Sequence, residues 1–150
     1  MYQTDYDILV KIFLAVLLSG IIGFEREIRN KGAGLRTHIL VGVGSALIVL
    51  TSYHVFVIFK DITVVDPTRM ISGIVTGIGF LCAGTIIRAG THVSGLTTAA
   101  TLWIVSGIGT AVGAGDYTAA ILVTFVVFVV LIGIRSLERK LATHFKEKVK

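Results

Sequence analysis

Four stretches of this chain carry no charged side chain: Thr37–Phe59 (23 residues), Met70–Ile87 (18), Ala89–Gly115 (27) and Tyr117–Ile134 (18). A predominantly apolar run of about 18 or more residues is long enough to cross the hydrocarbon core as a helix. Four such runs in 150 residues exclude an ordinary soluble enzyme and point to an all-α, polytopic membrane protein. Composition agrees, since 15% of residues are charged where a soluble domain carries about a quarter.

A fifth apolar segment, Ile8–Phe24, is interrupted only by Lys11, whose ammonium is expected to snorkel to the nearby interface. The expected spans are therefore Ile8–Phe24, Leu35–Phe59, Arg69–Ala89, Leu96–Gly113 and Tyr117–Ile134. The first is short, about 26 Å at helical rise, so its ends are expected to extend into Asp7 or Glu25. Asp5 and Asp7 stand where a signal peptide would be basic, and no A-x-A-like site follows Phe24, so this segment is read as a retained span. Residues 1–134 form the transmembrane domain in this reading. Beyond it, Leu137, Leu141, Phe145 and Val149 recur among basic residues over 135–150, the pattern of an amphipathic helix held at an anionic leaflet.

Lys and Arg are retained on the cytoplasmic side of a membrane. Arg26, Arg29, Lys31 and Arg36 follow segment one, Arg88 follows segment three, and Arg135, Arg139, Lys140, Lys146, Lys148 and Lys150 follow segment five. Only Lys11, Lys60 and Arg69 fall on the other side. The N-terminus is thus expected outside and the C-terminus in the cytoplasm. The same placement of cations beside apolar segments, rather than on an aromatic-laced surface, argues against nucleic acid as a partner.

Glycine placement suggests which helices pack, because membrane helices associate closely where small residues let backbones approach. Segment three carries Gly73, Gly77, Gly79 and Gly84, and its face Arg69, Ser72, Thr76, Gly79, Ala83 has helical spacing. Segment one offers Ser19 and Gly23, segment two His38, Gly42, Ser45 and Ser52, and segment four Thr97, Ala100, Gly107, Ala111 and Ala114. Segment three is therefore expected at the centre, with one, two and four around it and the uniformly apolar segment five outside. Asp66 is expected to cap segment three, with Pro67 in its first position and Arg69 paired to Asp66.

A shift of 61 residues superposes Gly23 on Gly84, Gly34 on Gly95, Leu35 on Leu96 and Thr37 on Thr98. If this is a parallel repeat of two helical hairpins, Gly34 and Gly95 mark equivalent helix starts.

Polar residues gather at the inner ends of segments one to four: Glu25, Arg26, Glu27, Arg36, Thr37, His38, Arg88, His92, Thr97 and Thr98. Two readings stay open, a structural clasp at interface depth and a gated ion or proton site. No Ser-His-Asp order, HExxH or P-loop occurs, so neither catalytic residues nor an enzymatic activity is expected. The four histidines share no face, and Glu25 and Glu27 are outnumbered by cations, so no metal or other cofactor is expected either. Cys82 is read as a packing residue.

The blocks GIIGFEREIRNKGAGLRTHILVGVGSAL, DPTRMISGIVTGIGFLCAGTIIRAG and GLTTAATLWIVSGIGTAVGAGDY, in order over about Leu17–Tyr117, closely resemble the MgtC/SapB family of bacterial inner-membrane proteins. The resemblance implies about five transmembrane helices and a set of signature polar positions. GFEREIR brings Glu25, Arg26 and Glu27, GLRTH brings Arg36, Thr37 and His38, and DPTR brings Asp66 and Arg69. IIRAG brings Arg88, and GLTTAATLW brings Thr97, Thr98 and Thr101. It further implies a link to growth in low Mg²⁺ and to intracellular survival of pathogens. Members were first thought to transport Mg²⁺, and some are thought to restrain the proton-translocating ATP synthase. Virulence-type members append a soluble C-terminal domain, so a sequence ending at Lys150 is expected to be the short form.

Two functions follow as expectations. One is a non-enzymatic modulator that docks on another membrane complex; the other is a small ion transporter or channel. Either expects a homo-oligomer, most simply a dimer, in the bacterial inner membrane, since five helices are few to enclose a pathway.

Overall fold

All five apolar segments are helical in the computed structural model, which describes residues 4–66 and 68–148, with side chains through Gly133. The elements in chain order are α1 (Asp5–Ile28), α2 (Leu35–Phe59), α3 (Thr68–Thr85), β1 (Ile87–Ala89), β2 (His92–Ser94), α4 (Leu96–Ala114) and α5 (Tyr117–Lys148). The all-α bundle is as expected, with one addition. The segment read as the inner end of span three is a two-stranded antiparallel ribbon that pairs Ile87 with Ser94 and Ala89 with His92. Its α3 helix therefore stops at Thr85 rather than Ala89. Helix α1 reaches past both expected limits, to Asp5 and Ile28. Helix α5 runs unbroken to Lys148, so 135–148 continue the fifth helix rather than starting another. The amphipathic pattern expected of their side chains, and Pro67 at the start of α3, lie outside the described residues.

Helices α1, α2 and α4 are each long and apolar enough to cross a bilayer, and Tyr117–Gly133 of α5 is a shorter apolar stretch. Burial runs opposite to a water-soluble fold. Phe80 is 86% and Leu40 72% exposed, while Lys11, Glu25, Arg26 and His38 are buried. Large apolar side chains outside and ionisable ones inside is the arrangement lipid favours. This is a membrane protein.

The centre of the bundle is not α3 but the seam between α2 and α4, flanked by α1. Contacts rise together along the two helices, from His38 with Thr101 through Ser45 with Ser106 to Ala46 with Gly113, so α2 and α4 run parallel. A Cβ on Gly109 would overlap the carbonyl oxygen of Gly42, and one on Gly113 would lie 2.8 Å from that of Ala46. Gly42 also faces Ser19 of α1, and Gly23 of α1 fits against His38 and Leu35. The stripes expected on segments one and two are thus the ones in use.

Those expected on segments three and four are not. Gly73, Gly77, Gly79, Gly84 and Gly107 have no neighbour within 4 Å of a would-be Cβ. On α3, Ser72, Thr76, Gly79 and Ala83 face outward, Arg69 is exposed beside the groove toward α2, and only Ile74 and Cys82 are buried. An apolar groove of about 700 Å³ separates α3 from α2. On α4 the buried face is the next one round, with Thr98, Thr101, Val105, Gly109 and Val112, while Thr97, Ala100, Gly107 and Ala114 are exposed. One residue is a 100° turn about a helix axis, and in α4 small residues occupy both faces, so composition alone does not choose between them. Helix α5 lies outside as expected, burying Ala120, Thr124 and Val127.

Lys11 reaches back toward the start of α1. Its side chain is buried and its ammonium pairs with Asp7 at 3.1 Å, one helical turn away. Tyr117 donates to the other Asp7 oxygen at 3.4 Å, joining the first turns of α1 and α5. A neutralised, hydrogen-bonded ammonium costs less inside the bundle than a bare one.

Candidate functional site

The sequence-nominated polar residues fall into three groups in space. The first is built where α1 ends. Glu25 and Arg26 leave the same turn into the interior, 6% and 4% exposed. The carboxylate is clamped between Arg26, at 3.6 Å, and Arg29, which reaches back from one turn later. An i,i+4 pair of this kind is geometrically natural on a helix, and burial makes each partner depend on the other.

Glu27, on the outward side, accepts a hydrogen bond from the backbone N–H of Leu35 at 2.9 Å. Gly34 makes this possible, since a Cβ there would overlap the Glu27 carboxylate. A side chain of α1 therefore caps α2, with its negative charge at the positive end of the helix.

His38, fully buried, is the hinge of the second group. Its Nδ1 lies 2.8 Å from the Gly34 carbonyl oxygen and its Nε2 3.1 Å from Oγ1 of Thr101. Thr101 Oγ1 also lies 2.9 Å from the Thr98 carbonyl oxygen. A hydroxyl has one proton, so it either donates to a neutral imidazole or donates to Thr98 and accepts from an imidazolium. Proton state at His38 and hydroxyl direction at Thr101 are thereby coupled.

Between these groups lies a cavity of about 560 Å³ lined by Glu25, Arg26, Lys31, the first residues of α4 and, from α5, Val130 and Leu131. Thr97 and Thr98 face it, Thr98 buried and Thr97 exposed. Arg36, Thr37, Arg88 and His92 stand exposed around this end of the bundle. Arg88, on β1, donates to the Gly90 carbonyl within its own ribbon.

Asp66 and Arg69 are elsewhere. The 18 residues of α3, about 27 Å of helix, separate them from the ribbon. Asp66 caps α3 as expected, through Thr68, whose amide and hydroxyl both donate to its Oδ1 at 2.9 and 2.6 Å. Those two bonds, with Arg69 only as a weaker and more distant charge, hold the carboxyl below the usual range. The expected Asp66–Arg69 ion pair is replaced by the Thr68 bonds.

Sequence reasoning passed over Arg29 and Lys31 as site residues. Arg29 had a signal, its i,i+4 spacing from Glu25, whereas Lys31 is placed by the turn between α1 and α2 and had none. Among the described residues no three His, Cys, Asp or Glu side chains converge as a metal site would require.

Comparison with known proteins matches the model of the MgtC family over residues 12–140. The chain is 47% identical over 118 residues to the MgtC protein of Brucella abortus (77% of this chain, 46% of that protein). It is 40% identical over 124 residues to SapB of Bacillus subtilis (79% and 53%). The YhiD protein of Escherichia coli K12, whose name describes a candidate magnesium transporter, is 43% identical over 117 residues (77% and 54%). The chain spans about half the length of these curated relatives. No solved structure matches it. With a family match across most of its length and a bundle of apolar helices closed around polar groups, the chain belongs to the MgtC family.

Proposed function

We propose that this protein is a non-enzymatic modulator of another complex in the bacterial inner membrane, acting in magnesium homeostasis. The magnesium link comes from the relatives, through the name of the Escherichia coli YhiD protein. The modulator role rests on one observation: Gly73 and Gly77 of α3 line an apolar groove beside α2 yet would meet no neighbour there within 4 Å of an added Cβ. In lipid, such a surface suits close approach by a helix of another protein. The positive-inside rule assigns the end bearing Arg26, Arg29, Lys31, Arg36 and Arg88 to the cytoplasm and the N-terminus to the outside.

Affinity capture from native membranes under Mg²⁺ limitation tests this directly. Wild type is expected to recover a stoichiometric membrane partner, with the proton-translocating ATP synthase the first complex to probe. Gly77→Leu is expected to lose it while folding normally. Recovery of the bait alone, or a partner indifferent to Gly77→Leu, sinks the reading.

A second reading, ion transport by a homo-oligomer, is favoured by buried Glu25 and Arg26 beside a polar cavity and by His38 buried against α4. Purified protein in vesicles would then move Mg²⁺ or protons faster than empty vesicles. No excess flux removes it.

A further inference from the structure

The two parallel helices at the centre of the bundle begin alike and are served differently. Helix α2 starts after Gly34 and α4 after Gly95. At α2 the Glu27 carboxylate meets the first amide. At α4 no side chain among the described residues caps the start, and the first helical bond runs from Ala99 to Gly95. The amides of Leu96, Thr97 and Thr98 precede that bond, leaving the positive end of the α4 dipole without an acid. Gly95 itself is confined to glycine, with φ of 88° and no room for a Cβ, which would overlap the Thr85 carbonyl oxygen, so no residue at that position can supply the cap. In the 61-residue correspondence Arg88 stands where the first hairpin has Glu27, a cation in the place of the capping carboxylate.

This start opens into the cavity of about 560 Å³. Arg26 and Lys31 line it, and the negative charge of Glu25 is already met by Arg26 and Arg29. Among the described residues, three cations against one carboxylate leave the neighbourhood positive. A second observation is independent of the helix end. Thr98 lines the cavity and is 6% exposed, and its hydroxyl makes no hydrogen bond among the described residues. A hydroxyl that meets a cavity without a protein partner can donate to an acceptor bound there. The wall opposite is apolar, Val130 and Leu131 of α5.

We propose that this cavity binds a phosphate-type oxyanion, held by the α4 amides, the Thr98 hydroxyl, Lys31 and Arg26. Helix N-termini with nearby cations are established anion sites. A phospholipid headgroup and free phosphate share that chemistry, and the apolar α5 wall suits the acyl chain of the former. The proposal is separate from docking through α3, and either can fail without the other.

The test uses the full chain in a non-ionic detergent, with native mass spectrometry and thermal melting as readouts. Probes are dimyristoyl phosphatidylglycerol, inorganic phosphate and dimyristoylglycerol, which lacks phosphate. Phosphatidylglycerol or phosphate is expected to bind and raise the melting temperature, and Lys31→Gln and Thr98→Val each to weaken binding about tenfold. Arg36→Gln, an exposed cation at the same end but not in the cavity, is expected to change nothing. Binding of phosphatidylglycerol alone identifies a lipid site, and binding of inorganic phosphate alone a free-ion site. The proposal is overturned if neither outbinds the diacylglycerol, or if Arg36→Gln weakens binding as much as Lys31→Gln. Lys31 lies on an exposed turn, so its variant keeps the test decisive even if Thr98→Val perturbs folding.

Discussion

The α1–α2 and α3–α4 helical hairpins share a glycine pattern, and only the first uses it throughout. In α1–α2, Gly23 lets the two helices meet, with a would-be Cβ 2.9 Å from the Leu35 α-carbon. The equivalent Gly84 of α3 faces open space. The first hairpin turns through a short loop with a buried carboxylate at its root, and the second through an exposed β-ribbon. Where the first has Glu25 and Glu27, the correspondence places Ile86 and Arg88. A small-residue stripe therefore permits close approach without commanding it. What decides is whether the facing helix offers backbone in return, as Gly42 does for Gly109 and nothing does for Gly77.

The sharpest way to break this comparison is to place the same bulk on both kinds of glycine. Gly109→Leu must drive a side chain into the Gly42 carbonyl, and is expected to cost on the order of 4 kcal/mol or more. The folded, monodisperse chain should be largely lost on size exclusion in detergent. Gly77→Leu is expected to stay within about 0.5 kcal/mol of wild type in thermal unfolding. Equal losses at both sites would mean that α3 packs against something within the isolated chain.

Next comes the buried carboxylate. Glu25→Gln leaves Arg26 and Arg29 facing a neutral amide inside the bundle, and removing one partner of a buried pair costs about 3 kcal/mol. Ile86→Ala, at the corresponding exposed position of the second hairpin, is expected to change the melting temperature little. A Glu25→Gln variant as stable as wild type would show that the clasp does not hold the fold.

Smaller again is the cap. Glu27→Gln weakens the bond to Leu35 and removes a charge from the start of α2, a loss of about 1 kcal/mol. The opposite change in the second hairpin, Arg88→Glu, brings an acid toward the uncapped start of α4 and is expected to be neutral or mildly stabilising. If both variants destabilise equally, the two helix starts are not electrostatic opposites.

The helices themselves were legible because oil admits few alternatives: a run such as Leu35–Phe59 can satisfy its backbone only within itself, and α2 has those limits. Partnership was less so. Gly107 and Gly109 differ by one helical step, and nothing local says that Gly109 meets α2 while Gly107 faces outward. The same holds for the site. Glu25, Arg26, His38, Thr98 and Thr101 do converge near the joins of α1, α2 and α4, since short turns force those helix ends together. Asp66 and Arg69 carry the same family signature yet lie a helix length away, because a motif records which residues matter and not which of them share a place.

Asp66 is consequently the mildest probe, a cap on the outer helix of the looser hairpin. Two bonds from Thr68 lower its carboxyl pKa. A group with a depressed pKa stabilises the folded form above its ordinary value, and that contribution is lost as pH falls through the lowered one. The first turn of α3 should therefore be equally protected from amide exchange at pH 7 and pH 5, and fray only in stronger acid. Asp66→Asn should flatten that dependence without altering exchange at Leu35, whose cap belongs to Glu27. Since the Asp66 carboxyl is exposed, salt should screen much of its charge effect. Fraying that spread to the α2–α4 seam would show that the outer helix steadies the centre after all.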